Sequence, residues 1–286
     1  MRSYKRVLSV FVICSVYFCV GRAQTPSLDK PPDETKSLEH EFFKNILKDQ
    51  KAIWTSPFQL NRQDTKWVIP SAVGFGSLIT TDRITGDEMG ETESQVKWSR
   101  AVSYAGSIYG LGAFAGTFYL IGRETKNDRA RETGILSAEA MLDSAIVGGA
   151  LKGISQRGRP LDGRERSEFF DGGSSFPSGH SIQVWSVATI VAHEYRESRA
   201  VQVAAYGLAT AVSIARFTGH KHYLSDVVVG SVMGYGIGHY VFNAHHHTDS
   251  TDSDVTEHLN RMSWPAIEPL YNRHMGQYGV ALTWNF

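Results

Sequence analysis

The chain has 286 residues, enough to bury a full hydrophobic core, and 42% of them are hydrophobic against 20% charged. Lys and Arg (29) balance Asp and Glu (29), so the formal net charge is zero and the global basic field of a nucleic-acid binder is excluded. A mean hydropathy of −0.24 is low for a polytopic membrane protein, yet the charges are unevenly spread and leave long apolar stretches.

In chain order, residues 1–23 read as a secretory signal: basic Arg2, Lys5 and Arg6, an apolar run from Val7 to Val20, then Gly21-Arg22-Ala23 with small residues flanking a cleavage point. An uncleaved membrane anchor fits the same segment. Cys14 and Cys19, the two cysteines of the chain, both fall inside it. Cleavage therefore leaves a chain with no disulfide, thiolate nucleophile or thiolate metal site. Residues 24–37 are polar, carry Pro26, Pro31 and Pro32, and read as a linker.

A helical domain is expected over 38–244. From Leu38 to Trp54 apolar residues recur at helical spacing between Glu39, Glu41, Lys44, Lys48 and Lys51, predicting an amphipathic helix. Val68 to Thr81 is a short apolar segment, and Asp82 to Arg100 is expected as a polar loop. Ala101 to Gly122 has no charge and is long enough to span a bilayer, although the buried helix of a soluble bundle has the same pattern. Further helices are predicted over Ser137–Gly153, Ser181–Tyr195, Arg199–Arg216 and Ser225–Phe242. With no strand alternation among them, the expected fold class is all-α, a helical bundle. His245 to Asp254 reads as a solvated polar tail. Tyr278 to Phe286 alternates as a strand does, and a short C-terminal strand-like segment is expected within 245–286.

Three clusters at predicted helix ends carry chemistry: Lys152 to Pro160, Phe176 to Ser181 and Ala215 to Asp226. A phosphate monoester is a dianion whose transfer spreads charge over its equatorial oxygens, so a protein catalyses it chiefly by positioning and electrostatic stabilisation. Lys152, Arg159 and Arg216 bring permanent cations from separate segments, and Ser178 and Gly179 precede a helix whose free N–H groups favour an anion. His222 stands four residues before Asp226, so if this stretch is helical both lie on one face. The carboxylate can then hold one ring nitrogen and leave the other to attack phosphorus. His180, from another segment, can protonate the leaving oxygen and then activate water. This fits a two-step route through a phosphohistidine.

Other patterns read as structure. His245-His246-His247 with His239, Asp249, Asp252 and Asp254 belong to the polar tail and its approach; a metal site there is the lesser reading. His220 and His222 with His180 could ligate zinc, but Lys152, Arg159, Arg216 and Lys221 would repel a cation. Gly234-Tyr235-Gly236-Ile237-Gly238 lies in an apolar helix with no strand before it, which favours helix packing over a nucleotide loop.

Lys152, Arg159 and Pro160, then Pro177 to His180, then Arg216, His222 and Asp226, together resemble the three-part motif of the type 2 phosphatidic acid phosphatase superfamily, which also contains bacterial acid phosphatases and vanadium haloperoxidases. Ala215 stands where serine is usual, which removes a hydroxyl but no charged group. The resemblance covers roughly Ser137 to Phe242. It implies a helical core, His222 as nucleophile, His180 as acid/base, Asp226 as its partner, and Lys152, Arg159, Ser178, Gly179 and Arg216 as phosphate ligands.

The expected function is hydrolysis of a phosphate monoester or pyrophosphate, of a lipid, at the outer or periplasmic face of the cell envelope. No cofactor or metal is expected, and no nucleic-acid partner. A soluble periplasmic acid phosphatase and a vanadate-dependent haloperoxidase are the alternatives.

Overall fold

Long uncharged runs bounded by charges leave the chain little choice but helices packed through small residues, and helices dominate the computed structural model. It describes residues 35–59, 65–88, 92–161, 167–245, 266–272 and 277–283. The expected signal, most of the linker and the tail from 246 to 265 lie outside these, as do Trp284 to Phe286. The helices are α1 (Thr35–Thr55, followed by a 3-10 turn), α2 (Thr65–Glu88), α3 (Glu93–Ala105), α4 (Ile108–Thr125), α5 (Asp128–Ser155), α6 (Gly179–Glu194), α7 (Arg199–Thr218) and α8 (Leu224–His245). An antiparallel hairpin of β1 (Ala266–Asn272) and β2 (Gln277–Thr283) forms a separate compact unit, with Ala266 opposite Thr283 and Asn272 opposite Gln277. The sequence pattern foresaw one strand there. Pro269 hid its partner, because proline breaks the usual strand reading.

In the bundle, α6 packs against α5, α7 and α8, while α4 lies on α5, α3 on α7, and α1 on α5 and α8. Leu136, Val147, Leu151, Ile182, Ile190, Met233 and Ile237 are fully buried in the core between them. Each such side chain contributes about 1.5–3 kcal/mol through removal from water. Helix α6 lies especially close to α8. A Cβ built on Gly234 would stand 2.2 Å from the Ile182 carbonyl oxygen, and one on Gly238 would stand 2.4 Å from that of Ser186. The glycines of this stretch therefore serve helix packing.

Several boundaries differ from the sequence reading. The segment expected as a loop from Asp82 to Arg100 is instead the end of α2 and most of α3. Helix α5 begins nine residues before the predicted Ser137, and its charged first turns are held from outside: Arg129 pairs with Glu197 at 2.6 Å and Arg131 with Glu39 at 2.7 Å. The uncharged run from Ala101 to Gly122 is not one rod. It breaks at Gly106-Ser107, where the Ser107 hydroxyl caps α4 by accepting from the Gly110 N–H at 3.2 Å. By length and composition, α5 and α7 are apolar enough to cross a membrane, α5 being mostly buried and α7 mostly exposed.

Helix α1 also departs from the expected stripe. Phe43 and Leu47 face outward, 78% and 73% exposed, while Asn45 and Asp49 point inward with Leu38, Ile46 and Ile53.

Gly234→Ala should lower the unfolding free energy by about 1–3 kcal/mol, because its methyl meets backbone that cannot swing aside. Denaturant titration with an unchanged midpoint would show that α6 and α8 separate freely.

Candidate active site

The chain between α5 and α6 is folded back on itself and fastened to the ends of α5 and α8. Ser175 N–H donates to the Arg157 carbonyl at 2.8 Å, Ser155 Oγ to the Phe176 carbonyl at 2.7 Å, and Ser178 N–H to the Asp226 carbonyl at 3.0 Å. Gly173 passes so close to Arg157 that a Cβ there would fall 2.1 Å from its carbonyl oxygen. These contacts bring the three sequence clusters to one end of the bundle.

Lys152, in the last turn of α5, donates from Nζ to the Ser174 carbonyl at 2.8 Å, and Arg159 donates from a terminal nitrogen to Ser174 Oγ at 3.3 Å. Arg216, in the last turn of α7, has its Nε buried without a hydrogen-bond partner. Among the described residues, no carboxylate forms an ion pair with Lys152 or Arg216. Helix α6 starts at Gly179 with no side-chain cap, whereas α3, α4, α5 and α7 each have one. The Ser178 hydroxyl instead accepts from Ser181 Oγ at 3.0 Å. Uncapped N–H groups and neighbouring cations make an anion-binding end.

His222 is buried in the turn before α8, not on the helix as its spacing to Asp226 had suggested. Its Nδ1 lies 2.8 Å from the Ser175 carbonyl oxygen and 3.7 Å from Asp226 Oδ2. A carbonyl only accepts, so Nδ1 carries the proton and donates, and the neutral ring keeps its lone pair on Nε2. The hydrogen bond that orients the ring thus comes from backbone, with the carboxylate behind it at ion-pair distance. Burial pushes the His222 pKa down to about 4, with Lys152 and Arg216 adding to the effect against the pull of Asp226. Burial also pushes half-buried His180 down to about 4, reinforced by Arg216, His222, Lys152 and Arg159. Both imidazoles are neutral at pH 7.

Asp226 is held by groups that sequence reasoning missed. Its Oδ1 accepts from Arg157 at 2.6 Å, and its Oδ2 accepts from Ser175 Oγ at 2.5 Å and from the Tyr223 N–H at 3.0 Å. Burial opposes its ionisation, but the Arg157 guanidinium together with His222 and the Ser175 hydroxyl outweighs that cost and keeps the carboxyl far below the usual range. Arg157 is itself completely buried. Its second terminal nitrogen donates to Asp82 Oδ2 at 2.7 Å and to Ser167 Oγ at 2.6 Å, and the guanidinium lies over the Tyr223 ring at 4.4 Å. Asp82 reaches from α2 to accept the Ser225 N–H at 3.1 Å as well. Arg157 was hidden among the unspecified positions between Lys152 and Arg159. Asp82 was hidden in the segment read as loop, where its one signal was a lone carboxylate directly after the uncharged run from Val68 to Thr81.

Beside His180 and Arg216 lies a cleft of roughly 210 Å³, walled by Val96, Ser99, Ser103 and Tyr104 of α3, with Arg100 and Lys221 among its lining. His220 is buried nearby but the zinc grouping with His180 and His222 does not form among the described residues.

Arg157→Ala should cost about 3–5 kcal/mol, because it strands two buried carboxylates. Asp82→Asn should cost about 1–3 kcal/mol by weakening the same network. Equilibrium denaturation monitored by circular dichroism checks both, and a negligible loss in each would mean that the network does not hold the site.

Residues 134–249 match the model of the PAP2 superfamily. A curated relative, the lipid A 1-phosphatase of Porphyromonas gingivalis, is 30% identical over 111 residues, which are 38% of this chain and 24% of that protein. The chain thus spans about a quarter of the length of that relative. Among solved structures, Aquifex aeolicus LpxE is similar with 18% identity and a TM-score of 0.46, over 57% of this chain and 93% of that one. The first transmembrane PAP2 type phosphatidylglycerolphosphate phosphatase from Bacillus subtilis gives 19% identity and a TM-score of 0.43, over 71% of this chain and 92% of that one. The matched segment carries Lys152, Arg159, His180, Arg216, His222 and Asp226.

Proposed function

We propose that this chain is a phosphatase that hydrolyses a phosphate monoester or pyrophosphate of a lipid through a phosphohistidine on His222. The observation that carries the reading is the oriented, neutral imidazole of His222 at the end of the bundle where Lys152, Arg159 and Arg216 gather without paired carboxylates for Lys152 and Arg216.

In the first step Nε2 of His222 attacks phosphorus while the P–O bond to the alcohol breaks. Lys152, Arg159, Arg216 and the N–H groups at Gly179 bind the equatorial oxygens, and His180 gives its proton to the departing oxygen. The imidazolium-like phosphohistidine is stabilised through Nδ1 by the Ser175 carbonyl, with the Asp226 charge behind it. In the second step neutral His180 takes a proton from water, the water oxygen attacks phosphorus, the P–N bond breaks and inorganic phosphate leaves. The charge for this chemistry comes from side chains and backbone, with no metal in either step.

The lipid part of the reading rests on apolar faces that the bundle leaves uncovered. Val203, Leu208 and Ile214 on α7 are exposed, as are Tyr109, Leu120 and Ile121 on α4 and Ile69, Val73 and Ile84 on α2. Between Arg199 and Arg216, α7 has no charge. Such faces suit hydrocarbon better than water and favour this reading over a soluble acid phosphatase. The P. gingivalis relative, a lipid A 1-phosphatase by name, supports a phosphorylated lipid as substrate. The chain would then sit in the cell envelope as an exported, membrane-associated enzyme with its site at the outer face. Detergent, and not high salt, should be needed to release it.

His222→Ala should abolish phosphate release from lipid phosphates in folded protein, and Ala at Lys152, Arg159 or Arg216 should each slow it by about 100- to 1,000-fold. In His180→Ala a phosphoenzyme should accumulate that is labile in acid and stable in alkali, as a phosphoramidate is. Full turnover in the His222 variant would end this mechanism.

The pH profile has a definite sign. His222 must be neutral and His180 protonated, and both titrate at about 4 in the free protein. The productive pair is therefore most abundant on the acidic side, and kcat/KM falls as pH rises beyond that. A bound phosphate offsets the cations that depress His180, so the alkaline limb of kcat should lie at higher pH than that of kcat/KM. Coincident limbs in steady-state measurements would show that His180 does not sense the bound phosphate.

A further inference from the structure

A second set of buried charges lies well away from the phosphate pocket. Glu139 precedes Lys152 on α5 by thirteen residues, about 20 Å along the helix axis. Here Asp49 of α1, Glu139 of α5 and His245, the last residue of α8, bring one ligand-type atom each within 4.8 Å of one another. All three are buried, and Glu139 is 0% exposed. His245 therefore does not belong to a solvated tail, as its sequence neighbours suggested.

Hydrogen bonding satisfies His245 and Asp49 but leaves Glu139 out. His245 Nε2 is 2.9 Å from both Asp49 oxygens and 3.4 Å from Glu139 Oε1. Both Glu139 oxygens are buried without a hydrogen-bond partner. One turn further along α5, Asp143 uses Oδ1 to accept from Gln50 at 2.8 Å, while its Oδ2 is also buried without a partner. Asp49 and Glu139 thus converge on one imidazole, and among the described residues His245 is the one cation-forming group that pairs with the two. Buried carboxylates in this condition are costly unless protons or a cation neutralise them.

The unpartnered Glu139 oxygens point to a cation, which would take the place of the Nε2 proton shared with Asp49. Ligands held about 2.0–2.2 Å from a tetrahedral ion stand about 3.4 Å apart, the separation between His245 Nε2 and Glu139 Oε1. Imidazole with carboxylates suits first-row divalent ions such as Zn²⁺ or Mn²⁺, whereas Ca²⁺ and Mg²⁺ prefer all-oxygen sets. We propose that Asp49, Glu139 and His245, with the free oxygen of Asp143 beside them, form a structural site for a divalent transition-metal ion of the Zn²⁺ class. The ion fastens α1, which precedes the family-matched segment, to α5 and α8 inside it. It takes no part in phosphoryl transfer.

The test uses the full chain in detergent micelles, stripped with a chelator and reloaded with Zn²⁺ or Mn²⁺, with metal content read by mass spectrometry and stability by thermal unfolding. Wild type should hold about one ion per chain, and Tm should rise by about 5–10 °C when free metal exceeds Kd a hundredfold. Glu139→Gln and His245→Gln should lose both the ion and the shift, while His222→Ala should retain both. Wild-type protein that takes up no ion and shows no shift overturns the proposal. So does an ion that survives in Glu139→Gln and disappears in His222→Ala, which would place it in the phosphate pocket. If the Glu139 and His245 variants fail to fold, wild-type loading and the His222→Ala comparison still decide.

Discussion

The guanidinium of Arg157 lies out of water between two carboxylates, Asp82 on α2 and Asp226 on α8, with aromatic rings on its faces. A charge in that position is tolerable only when its partners are fixed, and fixing them fixes much else. Asp226 receives the Tyr223 N–H that shapes the start of α8 and the Ser175 hydroxyl that tethers the loop ahead of α6. Ser175 in turn presents the carbonyl that orients His222. The orientation of one imidazole therefore depends on a pair made 75 residues apart in sequence, between Arg157 and Asp82. The N-terminal helices outside the family-matched segment take a direct part in building the site.

Around that fixed framework the pocket is electrostatically lopsided. Negative charge is kept behind His222, on Asp226, and is already matched by Arg157. Positive charge is kept in front, on Lys152, Arg159 and Arg216. Two neutral histidines stand between. Such a field favours a dianion and disfavours a metal cation among the same residues. The cluster at Asp49, Glu139 and His245 has the opposite sign, and the two regions are separated by about half the length of α5.

What could be read from the sequence follows from what each residue does there. Uncharged runs announced the central helices, and the residues of the candidate site announced themselves by type and spacing. Residues whose charge is consumed internally did not. Arg157 looks like another surface arginine until its partners are known, and Asp82 and Asp49 look like solvated acids until α2 and α1 are seen turning them inward. The early start of α5 was concealed for the converse reason: Arg129 and Arg131 suggest a loop, yet they pair with Glu197 and Glu39 across the surface of the bundle. The spacing of His222 and Asp226 suggested a direct hydrogen bond along a helix, but the turn at Tyr223 gives that donor to backbone instead.

The break at Gly106-Ser107 divides a greasy stretch of chain between two jobs. Its later part, in α4, lies on α5, while its first residues stay with α3, which leans on α7 and walls the cleft beside Arg216. Tyr104 and Val96 thereby give that cleft an oily side, and Arg100, Arg216 and Lys221 give it a salty one. On the proposed lipid reading, an amphiphile entering there would keep its tail among hydrocarbon while its headgroup alone is drawn down beside His180, so extraction of the whole molecule into water is unnecessary.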